Sequence, residues 1–177
     1  MNYPCFVVEK TGNTRIVHEA CETPGCNCGG YDREEKEFIR LNTGETLWRY
    51  SYYSLPPGAM WLQEMWDIHT DLQGNEIARY KGNGDWNNDD GFHLHVMLPG
   101  PPNEDGTISD FGHPWDVDSR ANNCTLPDDR IHRCWVREGT QPNVSVSKNG
   151  HTCAAGAGSI RVAWWHGFLR NGILEEC

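Results

Sequence analysis

No stretch of this sequence comes near the roughly 18 consecutive apolar residues that a membrane-spanning helix requires, and only 37% of its residues are hydrophobic. No membrane span is expected. Basic charge is equally scarce: 15 Lys and Arg stand against 25 Asp and Glu, a formal net charge of −10, with no basic run of the kind that tracks a phosphate backbone. Generic nucleic-acid binding is therefore set aside. The opening MNYPCFVVEK has no basic segment followed by a long apolar one, so no secretory leader is expected. The expected location is the cytoplasm of a host cell or, for a particle component, the virion. Internal repeats and low-complexity tracts are also missing. The segment AAGAGS at 154–159 lacks the Gly-Lys-Ser/Thr that completes a phosphate loop, and its glycine spacing is not the dinucleotide fingerprint.

What the chain does have is aromatic residues, turn residues and cysteine. Eight Trp, six Tyr and five Phe among 19 Gly and 10 Pro point to a few large anchors set between loops. Strands are expected over Pro4–Glu9 and Thr14–His18, joined by the turn Thr11-Gly12-Asn13, and again over Thr46–Tyr53. Asp32 with Glu35 at the capping-box position predicts a brief helical turn through Ile39. After Pro56-Pro57-Gly58, the positions Trp61, Leu62, Met65, Trp66 and His69 share one helical face and predict a helix over 58–69. A surface loop is expected over 81–90. Period-two alternation marks Phe92–Leu98 as a strand, and further strands are expected near 131–137, 144–148 and 159–165. The fold class read from this pattern is α+β: a small β-rich domain of short antiparallel strands with one main helix near 58–69, stabilised by zinc. Residues 1–45 form an N-terminal hairpin and cysteine-rich knuckle and residues 46–177 the β-rich main domain, unless the two are continuous.

Eight cysteines in a reducing compartment are expected as thiols or thiolates, and metal binding becomes the leading explanation for any cluster. Cys124, His132, Cys134 and Cys153 follow C-x7-H-x-C-x18-C. Three thiolates and one imidazole are the donor set of a closed tetrahedral zinc site; the plainer alternative is three buried thiols and a surface histidine. His18, Cys21, Cys26 and Cys28 form a second set, H-x2-C-x4-C-x-C, in a loop shaped by Pro24-Gly25 and Gly29-Gly30, with Cys5 competing for the place of His18. His93 and His95 share a strand face near Asp89 and Asp90. They could hold a catalytic metal with open positions, or form the polar face of a half-solvated strand. A nucleophile would be Cys124, Cys134 or Cys153 with His132 or His151 as base, or Ser159. A thiolate held in a closed zinc site cannot attack, so cage and nucleophile compete for the same atoms.

PPGAMW at 56–61, NCTLPDDRIHRCWVREG at 123–139, VSKNGHTCAAGAGSI at 146–160 and HGFLRNG at 166–172 together resemble an uncharacterised family of small proteins encoded by phages and prophages, chiefly of actinobacteria. The resemblance covers about the last two-thirds of the chain and implies a viral setting without supplying a reaction. That family has apolar or small residues where this chain has His93 and His95. More distantly, Cys134 with the 151–156 segment is similar to a domain found near bacterial ubiquitin-like conjugation genes, which implies metal binding and peptidase activity. The expectation is a zinc-stabilised phage accessory protein that binds a host or phage protein. One alternative is a hydrolase of peptidase type, using a metal-activated water near His93 and His95 or a thiol with His132. The other is a virion component that docks through the 58–69 helix and the tail IRVAWWHGFLRNG.

Overall fold

Strands account for nearly all of the regular structure among the described residues, some built on short apolar runs cut by Gly, Pro and Asn and the two longest largely polar. In a computed structural model, residues 1–64, 66–70, 76–80, 92–109, 111–117, 121, 123–126, 134–148, 153 and 158–177 are described, with 63, 64, 66–70, 76–80 and 92 followed as backbone alone. The strands are β1 (Asn2–Pro4), β2 (Phe6–Glu19), β3 (Tyr31–Arg40), β4 (Glu45–Arg49), β5 (Ala59–Glu64), β6 (Trp66–Thr70), β7 (Glu76–Tyr80), β8 (Phe92–Leu98), β9 (His113–Asp116), β10 (Val136–Glu138), β11 (Ser145–Ser147), β12 (Ile160–Arg161), β13 (His166–Arg170) and β14 (Ile173–Glu176). The sole helical element among the described residues is a 3-10 turn, Tyr52–Ser54, capped by Ser51. A six-stranded sheet runs β4-β3-β2-β5-β8-β9, a four-stranded sheet runs β1-β14-β13-β12, and β6-β7 and β10-β11 form two ribbons. β2 and β5 pair in parallel, and every other strand pair is antiparallel. Backbone ladders from β1 to β14 and from β2 to β5 join residues on both sides of position 45.

The α+β expectation is wrong, and the error lies at 58–69, where the chain forms β5 and β6 instead of a helix. β5 is an inner strand between β2 and β8, and both of its faces are covered over residues 59–61, whereas Leu62 is 52% exposed. Met60 packs into one core cluster with Leu94, Val96 and Leu98, while Ala59 and Trp61 pack into another with Phe6, Val8, Phe38 and Met97. An inner strand buried on both faces reads as a continuous apolar run. The helical spacing of Trp61, Leu62, Met65, Trp66 and His69 does not by itself separate a helix from a buried strand. Trp61 is 2% and Trp165 4% exposed, so these two rings belong to the core, whereas Trp164 of the same tail is 41% exposed.

Two further expectations change for a shared reason. β2 continues as a single strand through the Thr11-Gly12-Asn13 segment, taking a register shift between Lys10 and Thr14 rather than a chain reversal; Gly12 there has φ +91°. Its partner over nine register pairs is β3, the segment read as a capped helical turn. Cross-strand chemistry outweighs the local cap: Arg15 faces Glu35 and donates from Nε and Nη2 at 2.8 and 2.6 Å, and Thr11 and Asn13 donate to Glu37.

The strand over Phe92–Leu98 stands as expected. The tail IRVAWWHGFLRNG supplies β12, β13 and a two-residue turn into β14. Asn171 and Gly172 carry φ of 47° and 72°, the left-handed pair that a tight hairpin demands. The main core lies where this small sheet and β11 meet the six-stranded sheet, around Val144, Val146, Ile160, Leu169 and Leu174.

Candidate metal centres

Among the described residues, two groups of three metal-binding side chains bring their donor atoms within 4.8 Å of one another, Cys21-Cys26-Cys28 and Cys124-Cys134-Cys153. Each triad could hold a metal ion. All eight cysteines are free thiols, and the 3.8 Å between the sulfurs of Cys153 and Cys134 is far beyond a disulfide bond of about 2.05 Å.

The second triad is built into the main core. Cys134 is fully buried, and Cys124 and Cys153 pack against the cluster formed by Met60, Leu94, Trp135 and their neighbours. A turn places Cys124, whose N–H donates to the Ala121 carbonyl, and the Leu126 N–H donates to the Cys124 sulfur at 3.4 Å. Lys148 at the end of β11 brings Nζ to 3.1 Å from the Cys153 sulfur. Burial pushes the Cys134 thiol up to about 11, so three thiolates in this place call for a compensating cation. His132, the expected fourth ligand, lies outside the described residues, as do His151 and the 154–157 segment.

The first triad occupies the loop between β2 and β3. Cys26 and Cys28 are exposed and Cys21 half-buried. The Cys26 N–H closes a turn on the Thr23 carbonyl, and Gly25, Gly29 and Gly30 all have positive φ. Gly30 is required sterically, because a Cβ there would collide with the Glu19 carbonyl oxygen and sit 2.9 Å from Nε2 of His18. Hydrogen bonds from the backbone and side chain of Thr23, then from Cys28 and Cys26, bring the Cys21 thiol down to about 7. His18 does not join the sulfurs. Its Nδ1 meets Asp32 Oδ1 at 2.8 Å and its Nε2 meets the Gly29 carbonyl at 2.9 Å. Cys5 is remote from the knuckle: it belongs to the main core cluster, where burial pushes its thiol up to about 12.

His93 and His95 share a face of β8 but join neither triad. His93 is 1% exposed, with Nδ1 2.7 Å from Asp116 Oδ2. His95 stacks on Trp61 at 5.5 Å between centroids, and Trp61 stacks in turn on Tyr52 at 5.1 Å. Asp89 and Asp90 lie outside the described residues. Sequence spacing offered no signal for Lys148, Asp32 or Asp116, since each reaches its partner only through strand pairing or a loop return.

A separate cleft of about 400 Å³ lies at the C-terminal end of β4, the terminal strand of its sheet among the described residues, and is lined by Arg33, Trp48, Arg49, Tyr50, Pro56 and Phe111 among others. Arg33 is held by Glu19 and Glu35 at 2.6 and 3.2 Å. Arg49 donates from Nη1 to the Trp48 carbonyl and has no carboxylate partner among the described residues. Among the described residues, no helix is long and apolar enough to cross a membrane. Comparison of the chain with protein-family models, with curated proteins and with solved structures finds no match.

Proposed function

We propose that this is a zinc-stabilised accessory protein of phage or prophage origin whose work is to bind another protein. The observation that carries the reading is the Cys124-Cys134-Cys153 triad, three sulfurs gathered from distant points of the chain inside the main core. Such donors are dispersed in the unfolded chain, so metal binding free energy becomes folding free energy. Zinc suits the all-sulfur donor set and a reducing setting. The viral setting rests on the sequence motifs at 56–61, 123–139, 146–160 and 166–172.

Protein binding is supported by the cleft beside β4. Aromatic walls and a guanidinium with no carboxylate partner among the described residues suit an acidic segment, which could place a carboxylate on Arg49. Elemental analysis of protein purified without added metal is the test, with about two zinc per chain expected, one for each triad. A metal-free, fully reduced protein that melts cooperatively at an unchanged temperature would refute the reading.

A further inference from the structure

The two triads differ in a way that decides their chemistry. The core triad is enclosed by hydrophobic residues, whereas the knuckle triad stands on a loop with two of its three sulfurs exposed. Zinc takes four ligands; structural sites close all four positions, and sites that act on an outside group keep one open. Among the described residues no fourth His, Cys, Asp or Glu joins the knuckle sulfurs. The nearest imidazole, His18, is three residues from Cys21, yet both of its ring nitrogens are held, by Asp32 and by the Gly29 carbonyl. Both nitrogens of the ring thus meet oxygen partners, and His18 is not grouped with the three sulfurs.

Gly30 locks that arrangement by bringing the returning backbone against Glu19 and His18. The charge of the site then selects its outside ligand. A divalent ion on three thiolates sums to 2 − 3 = −1 and the chain carries −10, while the nearby carboxylates of Glu19 and Asp32 are already partnered by Arg33 and His18. A further anion is disfavoured there, and imidazole is the neutral side-chain donor that zinc binds best.

We infer that the Cys21-Cys26-Cys28 knuckle holds zinc by three thiolates with its fourth position facing outward, and that this position accepts a neutral imidazole, the side chain of a partner protein's histidine. This rests on the reading of the chain as a zinc-bearing, protein-binding molecule, and it names a surface and a contact for that binding. The core triad maintains the fold, and the knuckle is the exchangeable, partner-facing centre.

Cobalt(II) loaded into the intact protein reports donor number and type through its d–d absorption, and imidazole serves as the probe. The spectrum of the native protein minus that of Cys26→Ser isolates the knuckle. The expected result is a tetrahedral thiolate spectrum that shifts saturably as imidazole is added, in the native protein and in His18→Gln alike, with no such shift in Cys26→Ser. His18→Gln should match the native spectrum before imidazole is added. A difference there would make His18 the fourth ligand and the site closed, overturning the inference. An unresponsive spectrum, or no cobalt at the knuckle, would overturn it equally. Cobalt retained by Cys26→Ser belongs to the core triad. Its absence would sink the zinc-stabilised reading by itself, so the two failures are told apart.

Discussion

Replacing Cys134 and Cys5 by alanine, one at a time, separates a metal ligand from a buried thiol that merely fills space. Both side chains belong to the same core cluster, at 0% and 8% exposure, and only Cys134 belongs to a triad. Losing a buried sulfur as packing volume costs about 1 kcal/mol, near the value of one methylene plus a small cavity. For a chain of this length that lowers Tm by about 2–4 °C. Losing a ligand of a structural zinc site is a different order of effect: such sites supply about 10–16 kcal/mol of apparent binding free energy, comparable with the whole stability of a domain at about 5–15 kcal/mol. Cys5→Ala should therefore melt cooperatively a few degrees below the native protein and keep its zinc. Cys134→Ala should lose about one zinc and its cooperative transition. Circular dichroism melts with and without a chelator, alongside zinc analysis of each variant, make the measurement. Equal, small losses in both variants, with no effect of chelator on the native protein, would refute the argument.

Trp61→Ala removes the centre of the Tyr52-Trp61-His95 stack and should cost about 3–5 kcal/mol in urea unfolding; a loss under about 1 kcal/mol would mean that the ring is not internal. The Arg15 guanidinium, followed by Arg33, holds the Glu35 carboxyl below the ordinary carboxylate range, so its contribution is present above the unfolded-state value and fades as pH falls through the lowered one. Glu35→Gln should accordingly cost about 1 kcal/mol at neutral pH and converge on the native protein in acid, as read from denaturant midpoints; a difference that persists in acid would exclude the ion pair as its source. Gly30→Ala, at φ +93° against the Glu19 carbonyl, should cost about 1–3 kcal/mol locally and weaken metal retention at the knuckle, while the metal of the core triad stays. Equal loss at both sites would show that Gly30 acts on the whole fold.

Legibility followed the range of the interaction that decides each element. The strand at Phe92–Leu98 could be read because its alternation is local, the knuckle triad because three soft donors within eight residues are rare without a reason, and the core triad because Cys124 and Cys134 flank one short stretch that lacks a further sulfur until Cys153. The β13–β14 hairpin was legible and missed: Asn171-Gly172 between Phe168-Leu169 and Ile173-Leu174 is a strong hairpin signal. β5 was not legible, since one periodic pattern serves a helix and a doubly buried strand equally well until neighbours on both faces are known. β3 had the same difficulty in polar form, where a local cap at Asp32 competes with a ladder of charge pairs supplied by a strand many residues earlier.

The sequence by itself determined that this is an acidic, turn-rich chain with two groups of cysteines suited to a metal and several short strands, because composition and local spacing carry that information. Tertiary structure alone decided that the chain is a β-protein without a main helix among its described residues. It also decided that one triad lies in the core and the other on a loop, and that His18 is turned away from the sulfurs beside it. Those outcomes depend on which strands pair and on which donors a side chain finds once its backbone is placed, and neither can be read from distance along the chain.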